Sequence, residues 1–224
     1  MSRFRLLFLG LLAVVAVGAV SAGSASADSC TGGSNVVFCT SPGNLPLVGE
    51  TVLGLGTLAL LAGIVGGLEA RFHCPDFHVT GTLGKLGAST GLLLFLNCKE
   101  EKPAGCKLSE ANELAIDALF TEQQETAGLA TLTGSGKGVS EEFAKLTVES
   151  KPGETCVVKE TLNVTGKQMV ETSTVAAVDQ TVTAKKAEST LKLGSAAASF
   201  NGVAKVHLGG ANIGSAWLAL TTGV

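Results

Sequence analysis

All six cysteines of this chain (Cys30, Cys39, Cys74, Cys98, Cys106 and Cys156) lie beyond an N-terminal segment built like an export signal. Arg3 and Arg5 precede an uncharged run from Leu6 to Val20. Small residues follow as far as Ala25-Ser26-Ala27, and Asp28 comes next. A basic start, an apolar stretch and a small-residue cleavage site make the layout of a secretory signal peptide, so residues 1–27 are expected to be cut away. The 197 residues that remain are then expected outside the cytoplasm, secreted or at the cell surface, where disulfides persist. Six cysteines allow fifteen pairings, with free buried thiols as the alternative. Cys98 and Cys106 bracket the polar loop KEEKPAG, and Cys30 and Cys39 bracket TGGSNVVF. Two local bridges are therefore expected, with Cys74–Cys156 left as a long-range staple.

The same cleavage fixes the charge. Loss of Arg3 and Arg5 takes the formal net charge from −3 to −5 and leaves Arg71 as the one arginine. No basic footprint exists for a nucleic acid, and attraction to anionic membranes is disfavoured for the same reason. Tyrosine is absent and Trp217 is the single tryptophan, which argues against a lectin-type surface. The length suits one large or two small domains. The pattern favours one β-rich domain over residues 47–224, after an irregular Ser/Gly/Asn/Pro-rich lead over 28–46.

From Thr51 to Leu68 the chain carries no charge, which reaches the lower bound for a membrane-spanning helix. Five glycines in those 18 residues burden a helix, and no aromatic belt flanks them. A span would also separate Cys30 and Cys39 from the other cysteines. A hairpin of Glu50–Leu61 and Val65–Cys74, turning near Ala62/Gly63, is the expectation, and a membrane helix the alternative. Short strand-like runs recur downstream: Phe77–Leu83, Leu92–Leu96, Ala127–Thr133, Phe143–Glu149 and Ala198–Leu208. Cys156–Thr165 and Gln168–Ala176 read as a hairpin around Gly166-Lys167. Glu113–Thr121 is ambiguous: the stretch SEANELAIDALFTEQQE suits a helix capped by Ser109, yet Leu114, Ile116, Ala118 and Phe120 alternate onto one side. The sum is an all-β fold, an antiparallel sandwich or barrel of about 9–12 short strands preceded by the signal helix.

A strand ending in Phe72-His73-Cys74, then LLLFLNC with a polar loop to Cys106, is followed by Gly128-Leu129, Phe143-Ala144, Cys156, VVKETLNVTG and KLGSAAASFNGVAKVHL. In this order the chain resembles a broad set of secreted proteins of soil actinobacteria that have no established activity. The likeness covers about residues 47–221 and rests on the spacing of Cys, Gly and aromatic residues. It implies export, β structure and the Cys98–Cys106 bridge, and it supplies no catalytic residue. The segment 51–68 carries more Leu and less Thr than the likeness implies.

Four groups of residues carry candidate chemistry. Gly87-Ala88-Ser89-Thr90-Gly91 has the G-x-S-x-G spacing of a nucleophile elbow, and Asp179 and His207 complete the order of a hydrolase triad. That motif requires a following helix, whereas Leu92–Leu96 reads as a strand. His73, Cys74, Asp76 and His78 cluster as zinc ligands do. In an extended chain Cys74, Asp76 and His78 share a face and His73 opposes them, but a disulfide competes for Cys74 and Pro75 distorts the strand. Gly134-Ser135-Gly136-Lys137-Gly138 lacks the first Gly and the final Ser/Thr of a phosphate loop. Asn163-Val164-Thr165 is a glycosylation sequon inside an expected strand, and Glu100/Glu101 and Glu141/Glu142 read as solvated loop carboxylates. No catalytic, metal or cofactor residue is assigned from sequence. The expectation is a disulfide-stapled, non-enzymatic structural or interaction protein with a cell-surface or extracellular partner. It touches a membrane through the signal peptide alone unless 51–68 spans. The alternatives are a secreted hydrolase, a carrier of a small apolar ligand, or an anchored surface protein.

Overall fold

The computed structural model describes Cys30 and residues 36–41, 45–126, 128–185 and 189–221. The signal segment expected over 1–27 lies outside the described residues. Within the lead expected to be irregular over 28–46, residues 36–41 form a strand, β1 (Val36–Ser41).

Glycine placement shapes the first long strand. In β2 (Thr51–Val65) the inward positions are Val52, Gly54 and Gly56, while Leu53 and Leu55 face out. Small residues inside leave room for rings from the neighbouring strand: a Cβ on Gly56 would lie 2.0 Å from the Phe77 ring. Gly54 and Gly56, which burden a helix, are thus sites where side chains cross the interior of the sheet. The membrane-helix alternative for 51–68 is overturned, because the segment is a strand. No helix among the described residues is long and apolar enough to cross a membrane. The hairpin turn falls at Gly66 and Gly67, both with positive φ, four residues beyond the expected Ala62/Gly63.

β3 (Leu68–Leu83) pairs with β2 along its whole length, and β4 (Ala88–Leu96) follows on the other side of β3. A crease runs across all three strands. Register places Leu58 of β2 opposite Pro75 of β3, and Asn97, just past β4, opposite Pro75 on the far side. Leu58 and Asn97 have φ of 55° and 54°, and Pro75 has no N–H for the ladder. At this row the inward set changes parity, from Gly56 and Phe77 above to Ala59, Phe72 and Cys74 below.

After the crease come β5 (Lys99–Lys102), which pairs with the lower half of β3, and β6 (Cys106–Leu108). The ambiguous segment resolves as both readings in turn. Ser109 caps a short helix, α1 (Glu110–Leu114), and β7 (Ala115–Thr126) continues from it. The remaining described strands are β8 (Leu129–Gly134), β9 (Glu142–Ser150), β10 (Thr161–Thr165), β11 (Lys167–Thr172), β12 (Gln180–Lys185), β13 (Lys192–Leu193), β14 (Ala196–Leu208) and β15 (Ala216–Thr221). The expected hairpin of 156–165 with 168–176 does not form. β10 pairs with β9 and β13, whereas β11 pairs with β8 and β12. Gly166, at φ 103°, is where the chain passes from one sheet to the other.

Eight strands close into an antiparallel barrel in the order β2-β3-β4-β7-β8-β11-β12-β14, with β14 pairing both β12 and β2. Neighbours around the ring are successive in the chain once the excursions are removed. The excursions all leave from one end, after β4, after β8 and after β12. They supply β6, β9, β10 and β13, a second sheet joined to β14 that covers the lower end of the barrel. The upper end receives a two-stranded ribbon, β1 with β15. The fifteen strands among the described residues exceed the expected count because β5, this plug and the ribbon add seven to the barrel's eight.

Three disulfides fasten these parts, two of them differently from expectation. Cys30–Cys39 forms as predicted. Cys74 bonds Cys98 rather than Cys156, and Cys106 bonds Cys156 rather than Cys98. The reason is strand register. Cys74 and Cys98 lie in directly opposed positions just below the crease, and β6 and the loop after β9 bring Cys106 to Cys156. Loop spacing carries no information about either pairing.

Candidate functional site

An eight-stranded barrel has an interior wide enough to be filled by side chains or to hold one small ligand. Two cavities lie among the described residues here. The upper one, of about 90 Å³, lies between the crease and the ribbon; the lower one, of about 80 Å³, lies against the plug sheet. Leu93, Leu132 and Phe200 border both and form the waist between them. The lower chamber is apolar apart from Gln168, with Phe72, Phe95, Phe143 and Leu146 among its walls.

The upper chamber is different because the inward face of β7 changes character. Ile116, Ala118 and Phe120 face in, and the same parity then carries Glu122 and Gln124 inside. Ser89 on β4 stands opposite Glu122 in register. Its hydroxyl donates to Glu122 Oε2 at 2.5 Å, and Gln124 Nε2 donates to Oε1 at 2.9 Å. Burial pushes the Glu122 carboxyl up from its ordinary value, against the opposing pull of the Ser89 and Gln124 hydrogen bonds. Gln180, at the start of β12, donates through Nε2 to the carbonyls of Val175 and Trp217. Trp217 is bridged to Ala177 by two backbone hydrogen bonds and packs its ring 6.2 Å from that of Phe38. These two rings and Ala219 are the ribbon's contribution to the chamber roof.

Among the described residues, four polar atoms in this lining have no partner: Gln124 Oε1, Gln180 Oε1, Trp217 Nε1 and Thr172 Oγ1. Gln124, Gln180 and Trp217 are 4%, 2% and 6% exposed. Each unsatisfied buried group costs about 1–3 kcal/mol. Four in one chamber is a concentration of unmet hydrogen-bonding capacity.

The sequence candidates fare differently. Ser89 does not sit on an elbow, since the residues after it continue as β4. It faces the interior with its hydroxyl held by Glu122. Asp179 and His207 do meet, with Nδ1 to Oδ1 at 3.5 Å, but His207 lies between inward Val206 and Leu208 and so faces outward. The triad is not assembled. The zinc cluster is dispersed by the crease. Cys74 faces in and is spent on its disulfide, Asp76 and His78 face out, and His73 lies 3.7 Å from Glu101 on the outer wall. Among the described residues no three His, Cys, Asp or Glu side chains gather where a metal could sit. Gly134–Gly138 wraps the carboxyl of Glu142, which is buried rather than solvated. Glu100 also departs from a solvated loop residue. It is half-buried with neither carboxylate oxygen hydrogen-bonded, and burial raises it to about 7, with Lys151 pulling the other way.

The residues that sequence reasoning missed are Glu122, Gln124 and Gln180. The signal for the first two was present: the alternation through Phe120 runs on to 122 and 124, and polar residues on the buried parity are the informative observation. Comparison with protein-family models, with curated proteins and with solved structures found no match for this chain.

Proposed function

We propose that this protein is an exported, non-enzymatic binding protein that carries one small, largely apolar molecule with a polar head inside its barrel. The observation that carries the reading is the upper chamber, roofed by the ribbon yet lined by unpartnered, almost fully buried polar atoms of Gln124, Gln180 and Trp217. Binding pockets are mostly apolar with a few convergent polar groups that fix orientation. The upper chamber supplies those groups, and the lower chamber supplies space for an apolar tail beyond Leu93 and Phe200. Export is supported by the N-terminal pattern and by three disulfides. A hydrolase is not favoured, because Ser89 and His207 lie on opposite sides of the wall.

Trp217 is the single tryptophan of a chain without tyrosine, and it borders the chamber. Its emission therefore reports occupancy directly. Titration of the disulfide-intact protein with single-ring alcohols, amines and carboxylates is expected to give a saturable change in emission. Ala204, 5% exposed and part of the lining, provides the control. Ala204→Leu fills the chamber and is expected to abolish the response while preserving the fold. Absence of saturable binding by every probe, up to millimolar concentration, overturns the reading.

A further inference from the structure

We propose that the upper chamber takes the ammonium head of a small apolar amine, with Glu122 as its counter-ion. This rests on the carrier reading and narrows it to one ligand class.

Charge is the first argument. Among the described residues lining the chamber, Glu122 is the one ionisable side chain; no Lys, Arg or His borders it. The groups packed around Glu122 are Phe120 and Gln124 on its own strand, Ser89 across on β4 and Leu132 across on β8. An anionic head finds no cation in the lining to answer its charge, which is costly away from water. A cationic head converts the Glu122 carboxyl into half of a buried, hydrogen-bonded pair.

Hydrogen-bond inventory is the second. Three of the four unpartnered atoms are oxygens, Gln124 Oε1, Gln180 Oε1 and Thr172 Oγ1, and the two amide oxygens can only accept. An ammonium brings three donors to such a site, whereas an alcohol brings one. The rings are the third. Phe38, Phe77, Phe120, Phe200 and Trp217 all border the chamber, and a cation within about 6 Å of an aromatic face is attracted by the ring quadrupole. Volume sets the size. About 90 Å³ is less than the roughly 150 Å³ apolar cavity that accepts benzene, so a single ring or short chain must reach past the waist into the lower chamber. Where Glu122 is protonated before binding, its proton leaves to solvent as the ammonium arrives, and the occupied chamber is neutral.

Benzylamine, benzyl alcohol and benzoate, titrated at pH 7 into the disulfide-intact protein by calorimetry with Trp217 emission in parallel, separate the possibilities. Benzylamine is expected to bind about tenfold or more tightly than benzyl alcohol, with benzoate weakest. Glu122→Gln is expected to remove that preference, so that benzylamine binds no more tightly than benzyl alcohol, and Glu122→Asp to keep it. Benzyl alcohol binding as well as the amine, or an unchanged preference in Glu122→Gln, overturns the amine assignment and leaves the carrier reading standing. Failure of all three ligands overturns the carrier reading itself. Should Glu122→Gln not fold, the ranking of the three probes on the native protein decides alone.

Discussion

Gly56→Ala tests whether the barrel is packed as described, because one methyl group there has nowhere to go. The added Cβ would stand 2.0 Å from Phe77 Cζ and 2.2 Å from Cε1. Carbon atoms in contact prefer about 3.5–4.0 Å, so the ring must retreat by about 1.5–2 Å. That motion disturbs the Phe77–Phe95 pair, whose centroids are 5.3 Å apart, a contact worth about 0.5–1.5 kcal/mol. It also drives the ring toward the upper chamber that Phe77 borders, at an overpacking cost of about 1–3 kcal/mol. A net loss of about 2–3 kcal/mol is expected in urea unfolding with disulfides intact, visible as a lower midpoint with unchanged slope. Phe77→Leu relieves the clash. The double variant is therefore expected to be less destabilised than the sum of the singles by about 1–2 kcal/mol. A cost below about 0.5 kcal/mol for Gly56→Ala, with strict additivity in the pair, would falsify the placement of Phe77 over Gly56 and with it the chamber wall.

Other measurements probe the same geometry. Glu100 holds its proton in the folded state to about pH 7, whereas the unfolded carboxyl ionises near 4.5. Its contribution to stability is thus complete below pH 4.5 and is lost as pH rises to 7. The full shift corresponds to about 3.4 kcal/mol, but the group is half open to water, so about 1.5 kcal/mol is expected. Glu100→Gln should flatten the pH dependence of the urea midpoint by that amount; an unchanged slope refutes the assignment. Cys106 and Cys156 are 50 residues apart and Cys74 and Cys98 are 24 apart. On the chain-entropy model, Ser replacements of each pair should cost about 4 and about 3.5 kcal/mol. Unreduced peptide mapping that finds a Cys74–Cys156 bridge would overturn the connectivity. Phe38→Ala, which removes half of the ring pair roofing the chamber, is expected to speed ligand release by about tenfold with less effect on association; equal release rates would show that ligand leaves elsewhere.

Much of the fold is legible in the chain because period-two patterning survives translation into strands. Phe77, Val79, Gly81 and Leu83 declare one wall, and the split personality of residues 109–125 is real, a capped turn of helix feeding a strand. What escapes is whatever depends on register between distant segments. Cys98 is eight residues from Cys106 and yet bonds Cys74, because opposed positions on adjacent strands outrank short loops. The same holds for Thr161–Thr165 and Lys167–Thr172, adjacent in sequence with a turn between them yet assigned to different sheets. The parity change at Leu58, Pro75 and Asn97 was partly visible as Pro75, but its effect is to scatter the best metal cluster. The site was half-written: the buried parity of 122 and 124 could be counted forward, whereas Gln180 and Trp217 join it through a ribbon that no local pattern announces.

The closing of the ring at β14 has a consequence in time. β2 begins at residue 51 and its partner β14 at residue 196, so the first barrel strand waits for the last. Until then the chain can form a sheet of seven successive strands with two bare edges, β2 and β12. Bare edges invite pairing with other chains, and the long separation makes closure slow relative to the local hairpins. Enclosed space does not exist in any fraction of the chain; it comes into being with the final strand. A version ending before residue 196 would therefore be no weaker binder but a different hazard, a sticky open sheet with nothing inside it.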